Sequence, residues 1–316
     1  MPRPTSGTTI QRPDLASLAV EFMEDQGLFV GLKVAPLFRV AAQSADYPTY
    51  PKEAAVNIPD TKRTAEGHYN RIQWRFETDS YSCVENGIEE PVDDVEVKLY
   101  ARYFDAEALA AKRVGAAILR VQEKRILDAI QAETADKTIT HEWDDATNAV
   151  PLSDINTGKN TVIGLTGVEP NTLVIANTTF QDLGVCDEII GRIKYTYPGV
   201  RAGELTKELL AEYFGLDQVV VSIAQYNSAK EGQTASLSYM WSEEYAALLC
   251  VESGQDLSVP SYMRTFLWTE DSPENVVMES YYDDTVRGNV IRGRQYTDEE
   301  TIWSGAIYMY ENVYTA

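Results

Sequence analysis

The chain has 316 residues, 44% of them hydrophobic and 24% charged, so it can bury an ordinary core as two domains or one elaborated one. Its net charge of −22 makes it a poor candidate for tight, general binding of nucleic acid, local basic patches aside, and predicts a well-solvated acidic surface. Cys83, Cys186 and Cys250 lie too far apart for a disulfide framework or a metal-ligand spacing, which suggests a reducing compartment.

Residues 1–14 are rich in Pro, Thr, Ser and Gly and read as an extended arm. The start, Met1-Pro2-Arg3-Pro4, has no apolar signal region, and no run of about 18 apolar residues offers a membrane span. Asp14 can cap a short helix that holds Leu15, Leu18, Ala19, Phe22 and Met23 on one face and stops at Gly27. Residues 29–40 then carry the apolar segment Val34-Ala35-Pro36-Leu37-Phe38.

Residues 44–83 read as a long two-stranded excursion. It begins Tyr47-Pro48-Thr49-Tyr50-Pro51-Lys52, and in its return limb Ile72, Trp74 and Phe76 alternate with Gln73, Arg75 and Glu77. The polar middle, residues 53–67, is the tip. A lone two-stranded ribbon is marginal in water, so it needs something to lie on, and a neighbouring subunit is the natural candidate.

Residues 85–94 are strongly acidic. They lack an Asp/Asn/Gly ligand loop, so a solvated face is favoured over a cation site. The stretch 103–133 predicts one helix about 46 Å long. Ala111, Val114, Ile118 and Val121 form its apolar stripe, extended by Ile126, Leu127 and Ile130. Asp105 can cap its start, and Lys124 can pair with Asp128 one turn on. Residues 138–168, with Pro151, Gly158, Gly164 and Gly167, read as loop and short strand.

A strand–helix–helix–strand block follows. Leu173-Val174-Ile175-Ala176 is a buried-type strand, and Thr178 with Gln181 forms a capping-box pattern. Phe180, Leu183, Ile189, Ile190 and Ile193 give a helical face. A second helix starts at Thr206 and stops at Gly215, and residues 219–223 form a strand. The tail returns to strands at 265–268, 276–282, 289–295 and 301–310.

Little in the sequence points to catalysis. His68 and His141 lie in segments unsuited to meet, which argues against a histidine triad or a multi-histidine metal site. The phosphate-loop pattern fails around Gly158-Lys159, and nucleophile-elbow and zinc-protease motifs do not occur. Asp283-Asp284 and Glu243-Glu244 are paired carboxylates of the kind glycosidases use, but acids are too common here for adjacency to signify. Arg287, Arg292 and Arg294 form a small basic cluster suited to phosphate, to a neighbour's carboxylates or to a plain strand end.

The arm, the ribbon, Glu85-Asn86-Gly87-Ile88-Glu89-Glu90-Pro91-Val92-Asp93-Asp94 leading into the long helix, and the block from Pro170 onward resemble, as an ordered set, a major capsid protein of tailed double-stranded-DNA bacteriophages. That fold is shared with herpesvirus and encapsulin shells. The resemblance implies an α+β fold: an arm over 1–42, an extended loop over 43–82, and a peripheral domain with a spine helix over 83–168. An axial domain over 169–262 and peripheral return strands over 263–316 complete it. It implies self-assembly into hexamers and pentamers of an icosahedral head, with no cofactor and no catalysis, and a place in the virion after assembly in host cytoplasm. Its implied partners are a separate scaffolding protein (the arm is short), a portal, decoration proteins, and packaged double-stranded DNA without sequence specificity. Contacts with neighbouring subunits are expected at Tyr47, Tyr50, Lys52, Arg71, Trp74, Arg75, Phe76, Glu89, Glu90, Arg287, Arg292 and Arg294. Some such proteins crosslink Lys to Asn; nothing marks Lys52, Lys62, Asn275 or Asn289 as a reactive set. The alternatives are a nanocompartment shell protein and, from another class, an acidic carbohydrate-active enzyme.

Overall fold

Two sheets joined by one long helix organise the chain. The computed structural model describes residues 10–12, 15, 29–49, 58–63, 67–71, 77–196, 205–230 and 232–315. The expected helix over 14–27 lies outside them except for Leu15, which is buried against the long helix.

The first sheet has six strands. Its order is Ile10–Gln11, Val277–Asp283, Gly288–Thr301, Met263–Trp268, Leu37–Val40, with Val84–Asp93 also pairing to Gly288–Thr301. The long strand Gly288–Thr301 is the hub. It runs antiparallel to Val84–Asp93 from Gly288 opposite Asp93 to Thr297 opposite Val84. It also runs antiparallel to Val277–Asp283 and Met263–Trp268.

The second sheet has five strands in the order Lys137–Thr138, Ile307–Glu311, Tyr245–Leu249, Thr172–Ala176, Gln218–Ser222. Thr172–Ala176 is buried along its whole length and runs parallel to Gln218–Ser222, as expected of an apolar strand covered on both faces. Thr206 caps the helix Lys207–Phe214 through Leu209 N (3.2 Å), and Gly215 ends it at φ 64°. The expected capping box at Thr178 is not made: the helix Asn177–Leu183 has no side-chain cap.

Three further expectations change. Residues 151–166 form a helix rather than loop. Pro151 sits in its first turn, where a missing N–H costs nothing, and Gly167 closes it at φ 74°. Gly158 leaves room for the rings of Tyr308 and Tyr310. The glycines and proline that suggest a loop are thus caps and a close-packing point. Second, Ile307–Glu311 does not stay with the return strands of the first sheet; it pairs with Tyr245–Leu249 in the second. Third, that central partner, rich in Ala and Leu, is not anticipated, because those residues carry little strand preference.

The spine helix Ala106–Gln131 bridges the two layers. Asp105 caps it, accepting from Glu107 N (3.0 Å) and Ala108 N (3.3 Å), and Lys124 pairs with Asp128 (2.9 Å). Ala110, Ala111, Val114 and Ile118 pack in one core with Val92, Val276, Met278 and Ile291. A Cβ at Gly293 would come within 2.6 Å of Val114 and Ile118, so the spine crosses the first sheet where one strand has no side chain. Ile126, Leu127 and Ile130 belong to the larger core of the second sheet. Val121, expected on the apolar stripe, is 54% exposed; Gln122 and Glu123 are buried instead. Gln122 is satisfied there by a reciprocal amide pair with Asn275 (3.2 and 2.9 Å).

Candidate assembly surface

The ribbon begins as an antiparallel pair, Ser44–Thr49 with Glu77–Ser82. Its root is fixed by aromatics. Tyr81 stacks on Phe266 of the first sheet (centroids 4.5 Å apart, 9° between planes), and Tyr47 lies 5.2 Å from the same ring. Tyr47, expected to touch a neighbour, is therefore buried within its own subunit: its alternating position faces the sheet, not solvent. Ser82 N donates to Asp298 (2.7 Å).

That root is also crowded with carboxylates. Burial, then the charges of Asp298, Asp79 and Glu299, push the Glu300 carboxyl up to about 7. Arg125 is held by a fork to Glu299 (2.8 and 2.9 Å). Tyr50, Lys52, Trp74, Arg75 and Phe76 lie outside the described residues. Arg71 is exposed. At the tip, Arg63 lies 4.6 Å over the Tyr69 ring and donates to Gly67 O (2.7 Å).

The acidic strand and the basic cluster meet each other. Register sets Arg292 opposite Glu89 on one side and Glu279 on the other. Arg292 bonds Glu89 (2.5 Å), lies 3.7 Å from Glu279, and covers the Tyr281 ring at 5.0 Å. Arg294 bonds Glu279 (2.9 Å) and pairs with Asp271, and Arg113 pairs with Glu90 (3.0 Å). Glu89, Arg292, Glu279 and Arg294 thus form a cross-strand ladder inside the subunit, and Glu90 is paired to the spine helix. Arg287 stays exposed, at φ 54° in the turn before Gly288. Asn275 is held by Gln122, and Asn289 donates to Glu107 (2.8 Å).

Among the described residues, a cluster of uncovered apolar side chains lies just before the spine. The helix Asp94–Tyr100 has no buried residue; Asp93 caps it through Val95 N (2.7 Å). Val95, Leu99, Tyr100, Tyr103 and Phe104 are all exposed, with Tyr100 and Phe104 stacked 5.2 Å apart. A clustered set of large apolar side chains marks a contact surface more than a scatter does. The sequence signal is Val95 and Leu99 four residues apart with Tyr103 a further four on.

Two buried charges sit at joints. Glu123 of the spine accepts from Val30 N (3.0 Å) and Gly31 N (2.5 Å), where the chain leaves the arm. Burial raises its carboxyl to about 7 against the lowering pull of those amides and of Lys33. Arg264 is fully buried, and its three guanidinium nitrogens have no hydrogen-bond partner among the described residues.

The three cysteines are buried. Burial pushes Cys83 up to about 11 and Cys250 up to about 12, the reverse of what a nucleophile needs. His68 and His141 are exposed. Among the described residues, no three His, Cys, Asp or Glu side chains gather as metal ligands, and no helix is long and apolar enough to cross a membrane.

No known family model matches the chain. Over 227 residues, 69% of this chain and 71% of its relative, it is 26% identical to the major capsid protein of Burkholderia phage BcepMu. A phage-related protein from Bordetella bronchiseptica RB50 superposes with a TM-score of 0.69 at 18% identity, covering 96% of this chain and 98% of that one. The capsid of the cyanophage P-SCSP1u gives 0.59 at 11% identity over 88% and 86%. The fold is therefore that of phage capsid proteins, mixed α and β. The resemblance read from the order of parts is borne out by the relative's name and by the fold.

Proposed function

We propose that this chain is the structural major capsid protein of a phage head and that copies of it self-assemble into the shell. One observation carries the reading: the fold of a phage capsid chain matches 88% of this chain, and 69% of it aligns with a protein named as a major capsid protein. The uncovered apolar face at 95–104 fits that role, since a subunit that works alone gains nothing from it. The nanocompartment alternative is not favoured, because that curated relative belongs to a phage. The carbohydrate-active alternative has less support: Asp283, one of its paired acids, caps a turn through Thr285 N (2.8 Å).

Hexamers and pentamers of a closed icosahedral shell are the natural solution for identical chains with self-complementary surfaces. The ribbon's Tyr50, Lys52, Arg71, Trp74, Arg75 and Phe76 then lie against a neighbour, and Arg287 joins them at the subunit edge. Each large side chain buried there contributes about 1.5–3 kcal/mol, repeated at every copy. A scaffolding protein, a portal and decoration proteins complete the assembly, with double-stranded DNA enclosed and not read. At a net charge of −22 the lining repels DNA on average.

Light scattering and electron microscopy on protein expressed with its scaffold test the reading. Large hollow particles are expected; a strict monomer under every condition refutes it. Submicromolar binding of duplex DNA by the isolated subunit, with a steep salt slope, contradicts the DNA part alone.

A further inference from the structure

A second concave surface lies away from the ribbon and the apolar face. Tyr239, Trp241, Ser242, Glu243, Glu244 and Tyr314 line a groove of about 490 Å³ beside the hairpin formed by Gln225–Asn227 and Leu237–Tyr239. Trp241 is fully buried and its indole N–H donates to Tyr245 O (2.7 Å). Tyr239 is exposed, and so is Leu237, two residues earlier on the same strand face.

The rim is negative. Asp144 accepts from Thr315 N and Oγ1 (both 3.3 Å), next to Tyr314. Burial, then the charges of Asp144 and Glu243, raise the Asp182 carboxyl above its ordinary value. Among the described residues, none of Asp144, Asp182, Glu243 and Glu244 has an ion-pair partner. Aromatic walls with uncompensated carboxylates suit a proline-flanked cation. Proline rings pack on aromatic faces, and a guanidinium is held by both the ring face and the carboxylate.

The chain carries such a segment. Residues 1–13 contain Pro2, Pro4 and Pro13, with Arg3 and Arg12 and no acid, in a protein of net charge −22. The described start of the arm points away from its own groove. Arg12 lies 3.9 Å from Glu107, near one end of the spine, while Gln131 at the other end donates to Met240 O, beside the groove. Glu107 and Gln131 stand about 36 Å apart along the helix, and Ile10 and Gln11 pair with Ser280 and Glu279, so the strand enters from the Asp283 side, the end where Asn289 meets Glu107.

We propose that this groove receives Pro2-Arg3-Pro4 of a second copy of the chain, with Arg3 meeting Glu243 and Glu244. The inference rests on the shell reading, because it needs a neighbouring copy. The test uses the full-length chain and a fluorescent peptide of residues 1–13. Saturable anisotropy is expected, weakened at least tenfold by Arg3→Glu in the peptide or by Glu243→Lys with Glu244→Lys in the chain. Combining the two charge reversals should restore it. Equal binding of wild-type and Arg3→Glu peptides, or no restoration, overturns the proposal.

A photo-crosslinker at position 3, in isotope-labelled chains assembled with unlabelled ones, separates own-copy from second-copy contact. Mixed-mass products at 239–244 are expected; same-mass products alone overturn it. Electron microscopy of the wild-type chain keeps the two readings apart. Absent shells indict the capsid reading, whereas normal shells with crosslinks elsewhere indict only the groove.

Discussion

The two sheets handle their side chains in opposite ways. In the second, Thr172–Ala176 is wholly buried, and Leu248 and Leu249 of the next strand and Met309 and Tyr310 of the one beyond are covered as well. Its stability comes from apolar packing within one chain. In the first, the central strand alternates buried Ile291 with Arg292 and buried Gly293 with Arg294, and its charges close among themselves through Glu89, Glu279 and Asp271. Beside that sheet, Val84, Ile88, Val95 and Leu99 remain exposed. One layer is finished by folding; the other is electrostatically closed but still has apolar surface to cover. Substitutions in the second sheet's core should therefore destroy the subunit, and those on the apolar surface beside the first sheet should spare it and affect only the shell.

The largest effect belongs to the second sheet. Leu248→Ala should cost about 2–5 kcal/mol, read by chemical denaturation of the unassembled subunit, because a fully covered strand cannot close the cavity. The next belongs to the joint between arm and spine. The Glu123 carboxyl is raised in the folded state to about 7 from 4.5, so the folded chain holds the proton more tightly. Its contribution is fully present below about pH 4.5 and is lost as pH rises to about 7, on the order of 3 kcal/mol across the window. Glu123→Gln should flatten that part of the pH–stability curve. Glu300 titrates in the same direction, so a residual slope is expected, and Glu300→Gln should remove it. An unchanged slope in the double variant would show that neither carboxyl is linked to folding. Arg264→Met should raise the unfolding free energy by on the order of 1 kcal/mol, seen as a higher denaturation midpoint, since it removes a buried charge with no hydrogen-bond partner among the described residues. A lower midpoint would mean that the guanidinium is satisfied in solution.

The parts of the fold that follow one chain's own periodicity were legible in the sequence. The spine, its Asp105 cap, the strand at 172–176 and the ribbon root obey patterns of 3.6 and 2. The helix at 151–166 was hidden because Gly158 is set by the rings of Tyr308 and Tyr310, about 150 residues away, which no local window contains. The charge ladder was half legible. Glu89 and Arg292 stood out as charged, but only the register of 84–93 against 288–297 turns two candidate surface patches into one internal network. The burial of Tyr47 is illegible for the same kind of reason, since its partner Phe266 comes from the far end of the chain. The face at 95–104 could be read from Val95, Leu99 and Tyr103, yet its exposure is known only once the sheet beneath it is in place.

That face also supplies the prediction with the smallest effect on folding and the sharpest bearing on the comparison. Val95 and Leu99 are 60% and 64% exposed, so Val95→Ser with Leu99→Ser removes almost no buried area, and the subunit's stability should stay within about 0.5 kcal/mol of wild type. The cap at Asp93 and the spine's own cap at Asp105 are untouched, so the helix ends should hold. Serine is a poorer helix former than leucine, by a few tenths of a kcal/mol at most. If a neighbouring copy covers this face, the same two substitutions remove apolar contact at every subunit boundary. Particle yield should then collapse while the thermal transition of the free subunit stays put. Measured side by side with Leu248→Ala, the two variants should give opposite patterns: one loses the subunit, the other only the shell. If the serine variant unfolds like the core variant, the face is part of the subunit's own packing and the division between the two sheets is wrong. If it assembles normally, the face is bare in the shell and the contacts lie elsewhere, as on the ribbon.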